Sequence, residues 1–330
     1  SRENRVTLAT KTFRIPNPLR ITQYLQLDMI MKPLSLIAIC TFAASCANAE
    51  LLETWTWGVS PQKGWYDANK TLAPGDDNLC WAASASNILN WWQDRYVIPS
   101  GTPTGEAVWT TFKDSFTDLG GNASYAFQWW LSGDYPPAGV EGWSQLKEGA
   151  AAGGYYRSIF SENQAVFLTS AYNATSYSAS SQYILDRLNE GYGLTLSIGD
   201  TLGKTAHAIT LWGVEYDDQT SLLTKMYLTD SDDLQYGYHS SNGMFEVACY
   251  TGENGGLYFQ TTEDGWYQRE DREFFIKGVY GLSTDVGNAL ALIPEPGTAT
   301  LSLAALLCLA WKRRRQACRD RLSPYRGPAV

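Results

Sequence analysis

Histidine is the scarcest chemistry-bearing residue in this 330-residue chain, with only two, His207 and His239. A search for an imidazole base therefore has two candidates. Cysteine is nearly as limited. Of 6 cysteines, Cys40 and Cys46 lie in an N-terminal apolar region and Cys308 and Cys318 in a C-terminal tail. That leaves Cys80 and Cys249, which excludes a disulfide framework and permits one bridge at most. No Gly-rich phosphate loop, no metal-spaced Cys/His cluster and no internal repeat is present, so the sequence calls for no cofactor and no metal. Positive charge is also sparse. Between Glu50 and Pro296, 12 Lys+Arg stand against 31 Asp+Glu, a net charge of −19, while the basic tails bring the whole chain to −9. Such acidity argues against nucleic acid or anionic lipid as a partner.

The tails read as addressing segments. Met31-Lys32, the apolar stretch Pro33 to Ala44 and the small-residue site Ala47-Asn48-Ala49 predict a secretory signal peptide over 31–49, with Glu50 as the mature start. Residues 1–30 then form an upstream segment, expected from a misassigned start. At the other end, Pro294-Glu295-Pro296, an apolar run from Thr298 to Trp311 and Lys312-Arg313-Arg314-Arg315 follow one another. This arrangement resembles a PEP-CTERM sorting signal over 293–315, with 316–330 as a cytoplasmic tail. The resemblance implies an exosortase-type partner and delivery to the surface or exterior of a Gram-negative bacterium. Membrane contact is then expected only through these two segments.

Residues 50–292 have the length of one sizeable domain. A helix is predicted from Cys80 to about Tyr96, with Ile88, Leu89 and Trp92 on one face. Shorter helices are predicted near Glu106–Asp118 and Ala123–Leu131, and an amphipathic one over Ser180–Glu190. Strands are predicted at Leu194–Ile198, Ala206–Glu215, Lys225–Asp230 and Lys277–Ser283. A helical first half and an antiparallel second half give an α+β fold. Twelve of the 13 Trp fall inside this domain, enough to build much of its core.

Cys80 stands in Asp76-Asp77-Asn78-Leu79-Cys80-Trp81-Ala82-Ala83. Polar residues that lead helices precede it, and small residues that pack closely follow. A thiol at a helix N-terminus meets unpaired N–H groups and the positive end of the peptide dipoles. Both favour the nucleophilic thiolate. His207 lies in a strand pattern, whereas His239 sits among Tyr, Gly and Ser in an expected loop. With a turn centred between Asp218 and Gln219, antiparallel pairing sets His207 directly opposite Asp230. A thiol, an imidazole and a carboxylate in series can attack a carbonyl, shuttle the proton and hold the imidazole tautomer.

Gly64-Trp65-Tyr66-Asp67, Lys70-Thr71, the stretch from Asp76 to Ala83 and Asn87 to Trp92 resemble the nucleophile region of the IdeS/Mac family of immunoglobulin-degrading cysteine endopeptidases. His207 to Gly213 and Leu228 to Asp232 resemble that family's His and Asp segments. The resemblance implies a papain-like fold, with the nucleophile helix packed on an antiparallel sheet, and a Cys80-His207-Asp230 triad. It also implies that Lys70 builds an oxyanion hole with the Cys80 N–H, and that Asp232 is a second aspartate near the triad. A protein substrate, with immunoglobulin G among the candidates, follows from the same source. Trp81 departs from the Gly of the streptococcal relatives, and the region from about Arg95 to Ala179 is poorly matched. These departures bear on the substrate rather than on the chemistry. Two other functions are compatible with the residues: a transglutaminase-type acyl transferase, and a Trp-rich surface binding module in which Cys80 and Cys249 are simply paired.

Overall fold

The computed structural model describes residues 49–71, 75–232, 243–261 and 273–293. The signal peptide expected over 31–49, apart from Ala49, the C-terminal segment from Pro294 onward and His239 lie outside the described residues. No described helix is long and apolar enough to cross a membrane.

Helix α1 (Cys80–Gln93) is the axis of the helical half. Every residue from Trp81 to Gln93 is buried, as expected of a helix enclosed on all sides. Against it pack α2 (Glu106–Ser115) and α3 (Ala123–Ser132). Ala82, Ala83 and Ala85 let neighbouring backbones approach, and Trp81, Trp91 and Trp92 fill the space between. The helix stops at Gln93, earlier than the predicted Tyr96. Arg95 instead turns back, and its guanidinium hydrogen-bonds the carbonyls of Trp91 and Trp57. α3 is held at both ends: the Asn122 side chain accepts from Ser124 N, and Gly133 closes the helix at φ 87°.

The second half is β-rich. Strands β1 (Leu51–Trp55), β2 (Thr169–Asn173), β3 (Tyr192–Asp200), β4 (Ala206–Asp217), β5 (Leu223–Thr229), β6 (Phe245–Thr251), β7 (Leu257–Thr261) and β8 (Phe274–Ser283) form one antiparallel sheet. Its order is β1-β4-β3-β8-β7-β6-β5, and β5 pairs back onto β4, closing a barrel. β2 adds to β8. Helices α4 (Glu162–Leu168) and α5 (Tyr177–Asn189) precede the barrel strands. Ile184, Leu185 and Leu188 of α5 join Leu196, Ile209 and Val279 in the barrel core. The other core is aromatic and belongs to the helices, with Phe112, Trp129 and Trp130 in mutual ring contact and Trp92 against Tyr156. The architecture is therefore α+β, with α1 packed directly on β3 and β4.

One register expectation is corrected. The β4–β5 ladder pairs Thr210 with Thr229 and Leu211 with Leu228, so His207 and Asp230 are not Cα partners. Asp217 Oδ1 accepts from the N–H groups of Gln219 and Thr220 and from Thr220 Oγ1, and Asp217 N bonds Leu222 O. The hairpin is thereby centred between Gln219 and Thr220, one residue later than assumed. Two β-bulges, at Leu211/Gly213 and Glu215/Tyr216, cancel along the ladder. Asp230 itself lies just beyond the end of β5.

Candidate active site

Cys80 is the first residue of α1, with Leu79 at the N-cap. No side chain caps this end, so the polar run Asp76–Asn78 does not act as the expected cap. Asp76 Oδ2 instead accepts from Thr71 N and Thr71 Oγ1, and Asn78 N donates to Asp118 Oδ1. The helix terminus is thus kept bare of a competing acceptor. Asn87, two turns along α1, fixes the helix against the rest of the site. Its Oδ1 accepts from Ala68 N at 2.8 Å and its Nδ2 donates to Thr210 Oγ1 of β4 at 3.0 Å.

His207 opens β4 beside this terminus. Its Nε2 lies 2.6 Å from Asp230 Oδ1, and both residues are buried, 7% and 2% exposed. Extending the Thr210–Thr229 pairing backwards sets His207 level with Asp232 and one diagonal step from Asp230. Diagonal neighbours on one face are within reach of long side chains, so the contact survives the register shift. The Cys80 thiol faces the same cleft as His207 and Ala208, and both groups act to lower it. With Nε2 committed to Asp230, Nδ1 is the nitrogen left for the thiol.

Electrostatics sharpen the pair. Burial alone would push the Cys80 thiol up, but the charge and hydrogen bond of His207, the Lys70 cation and the Ala208 amide together hold it below its ordinary value. Burial likewise works against a charged His207, and it is overcome by Asp230 and by Cys80, which raise the imidazole well above 6.5. Opposite shifts of this kind favour a thiolate–imidazolium pair at neutral pH. Cys249 behaves oppositely. It lies on β6, its thiol is free like that of Cys80, and burial pushes it upward. The two cysteines are not bridged, which removes the pairing on which the binding-module reading rests.

Lys70 is no surface lysine. It is 5% exposed, its Nζ donates to Asp77 O at 2.6 Å and forms an ion pair with Asp232 Oδ1 at 2.8 Å. Burial opposes its charge, and the nearby Cys80 and Asp232 more than offset that penalty. A backbone bond from Lys70 N to Ser231 O ties the two segments together. Asp232 Oδ2 stands 3.8 Å from His207 Nδ1, so Asp232 lies between a lysine and the imidazole. His207, Asp230 and Asp232 each bring one ligand atom within 4.8 Å of the others. The Lys70 cation already supplies the positive charge that a metal would bring to Asp232.

Lys70, Cys80, His207 and Asp232 therefore line one cleft of about 360 Å³, and Asp230 reaches it through its contact with His207. Its further walls were not legible in the sequence: Gly120, Gly121 and Asn122 from the loop before α3, Ser197 of β3, and Tyr280 of β8. They come from segments far apart in the chain, and none carries a local motif. Trp81, which follows Cys80, holds the glycine loop. Its Nε1 donates to Leu119 O, and a Cβ on Gly121 would come within 2.2 Å of its ring.

The sequence profile of the family described as Mac 1 matches residues 48–99 and 142–249. The first segment contains Lys70 and Cys80, and the second contains His207, Asp230 and Asp232. An IgM protease of Streptococcus suis (strain P1/7) is 28% identical over 210 residues, covering 52% of this chain and 18% of that protein. The chain thus spans less than a fifth of the length of that relative.

Proposed function

The chain belongs to the IdeS/Mac family, and from that premise we propose that it is an exported cysteine endopeptidase with a papain-like catalytic domain. The observation that carries this reading is the chain of contacts from Cys80 at the start of α1 to His207 and on to Asp230, with the thiol lowered and the imidazole raised. In the proposed reaction the Cys80 thiolate attacks the carbonyl carbon of a peptide bond, and the electron pair moves onto the oxygen. His207 then gives its proton to the departing amine. A water, deprotonated by the now neutral His207, attacks the thioester and releases the acid. Asp230 holds the imidazole with its Nε2–H toward the carboxylate and stabilises the imidazolium.

Lys70 and the Cys80 N–H are proposed to receive the developing oxyanion. Asp232 positions Lys70 through the 2.8 Å ion pair and adds negative potential beside His207. The relative is named as an IgM protease, so immunoglobulins lead the proposed substrates, ahead of other exported proteins. The signal-peptide pattern and the PEP-CTERM-like tail support export to the envelope of a Gram-negative cell, with an exosortase as processing partner.

The test is cleavage of purified immunoglobulin M, immunoglobulin G and a denatured protein by the 50–292 domain, beside Cys80→Ala and His207→Ala. New N-termini that vanish in both variants are expected. Amine incorporation into glutamine without new N-termini would point to acyl transfer instead and overturn the reading.

A further inference from the structure

Lys204 lines the cleft from the turn that joins β3 to β4, three residues before His207. Three residues of chain span at most about 11 Å, so this ammonium stands within a few substrate residues of the reacting carbonyl. The residue is exposed, and among the described residues its side chain forms no ion pair. It stays uncommitted in a domain where 31 Asp+Glu stand against 12 Lys+Arg.

The backbone beneath it is fixed. Asp200 is 3% exposed, and its carboxylate accepts from Lys204 N and from Thr205 Oγ1, each at 2.8 Å. Gly203 N donates to Asp200 O at 3.1 Å. Thr201 N donates to Glu273 O at 3.0 Å, and Glu273 N donates back to Thr201 Oγ1 at 3.1 Å. A buried carboxylate is thus devoted to one short turn. Its burial is unfavourable unless hydrogen bonds compensate, and the result is a set place for Lys204 at the cleft.

The remaining charges of the cleft fall into two groups. Lys70, His207 and Asp232 are engaged with one another. Asp77 and Lys204 are exposed, and among the described residues neither side chain pairs with the other or with a third group. Asp77 comes from the segment entering α1, three residues before Cys80, and Lys204 comes from the barrel. An anionic substrate side chain is therefore attracted at one place in the cleft and repelled at another, which fixes the register of the peptide that carries it.

We propose that Lys204 is a specificity-determining residue that binds the carboxylate of a substrate aspartate or glutamate within three residues of the cleavage point. The inference rests on the proposed peptidase reading and deepens it, by naming acid-bearing peptide segments as the substrate class. A flexible ammonium is a point charge rather than a planar fork, so it takes either acid. The pair is solvent-exposed, and its effect is a preference of a few fold that salt weakens.

A denatured bacterial proteome is digested by the full chain, by Lys204→Met and by Lys204→Glu, and the new N-termini are read by mass spectrometry. Both substitutions keep the backbone hydrogen bonds of the turn. Residues at the three positions on either side of each cut are scored as ratios within one digest, so a change in overall rate drops out. In the wild type Asp and Glu are expected about three- to fivefold above background at one position. The enrichment should vanish in Lys204→Met and shrink in about 0.5 M salt, and Lys204→Glu should enrich Lys and Arg at the same position. No acid enrichment in the wild type, or the same enrichment in Lys204→Met, would overturn the proposal. New N-termini that persist in a parallel His207→Ala digest, or none in any digest, would instead sink the peptidase reading itself.

Discussion

His207 Nε2 and Asp230 Oδ1 stand 2.6 Å apart across a strand end, though the two residues are not partners in the β4–β5 ladder. The contact is made by side chains reaching diagonally from the first turn of one strand to the residue beyond the other. Asp230 accepts a second bond from Asp232 N, at 3.0 Å on the same oxygen, which fixes the carboxylate. Orientation of the imidazole thus depends on one carboxylate oxygen held by its own chain. Asp230→Asn would present an amide that can offer the wrong group to Nε2 and disturb the tautomer. Turnover of a protein substrate is expected to fall by about 10²-fold or more, by the logic of such triads, with little change in thermal unfolding. A variant within threefold of wild type would remove Asp230 from the proposed mechanism.

The pH dependence follows from the two shifted groups. The Cys80 thiol is lowered from 9.0 and His207 is raised well above 6.5. The reactive pair therefore exists above the lowered thiol value and below the raised imidazole value. Activity is expected to fall on the acid side as the thiolate takes up a proton, and on the alkaline side as His207 loses one. Iodoacetamide should label Cys80 rapidly at pH 6. In His207→Ala the profile should move toward that of a free thiol, near pH 8.5. Identical profiles for the two proteins would contradict an activated pair.

Cys249 provides an internal control. Burial raises its thiol, and no cation or imidazole is among the causes of its shift. Mass spectrometry of the native 50–292 domain after iodoacetamide at pH 7 should find the label on Cys80, with Cys249 modified only after denaturation. Equal labelling of both thiols would mean that the environment of Cys80 is not special.

Lys70 and Asp232 form the buried ion pair of the site. Removing one partner leaves the other charge poorly solvated, a loss of about 3–5 kcal/mol for a well-buried pair. Lys70→Ala is expected to lower both stability and turnover, the latter by about 10²-fold if the cation faces the oxyanion. Lys70→Ala combined with Asp232→Asn should recover stability and leave turnover low. Recovery of both would assign Lys70 a purely structural role.

Gly121 sits against the ring of Trp81, and a methyl group there would come within 2.2 Å of it. Gly121→Ala is expected to cost about 1–3 kcal/mol through overpacking and to move Trp81, the neighbour of Cys80. Gly120→Ala, with open space around it, should be near neutral in chemical denaturation. Equal midpoints for the two variants would mean that the loop yields freely and does not brace the cleft.

Much of the helical half was open to sequence reasoning because its signals are local. The apolar spacing after Cys80 and the amphipathic run over Ser180–Glu190 each act within a few residues. The α1 start, α3 and α5 accordingly lie within a few residues of their predicted bounds. Strands β1, β2, β6 and β7 were not foreseen. Short segments such as Thr169–Asn173 carry little alternation, and their pairing is decided by partners a hundred residues away. The hairpin register failed for a different reason: the Asp217 side chain reorganises the turn, a local effect that period-two patterning does not see.

The sequence by itself determined which residue types were available for chemistry. With two histidines and two domain cysteines, Cys80 and His207 stood out by scarcity and by their flanks. Composition also set the acidic character and the aromatic wealth of the core, since both are sums over residues and need no coordinates. Only the tertiary structure decided that Lys70 is buried against Asp232, that His207 reaches Asp230 diagonally, and that Asn122 and Tyr280 share a wall of the same cleft. Each of these depends on closing long loops and on sheet register, and a side chain's charge state and partners follow from that enclosure rather than from its neighbours in sequence.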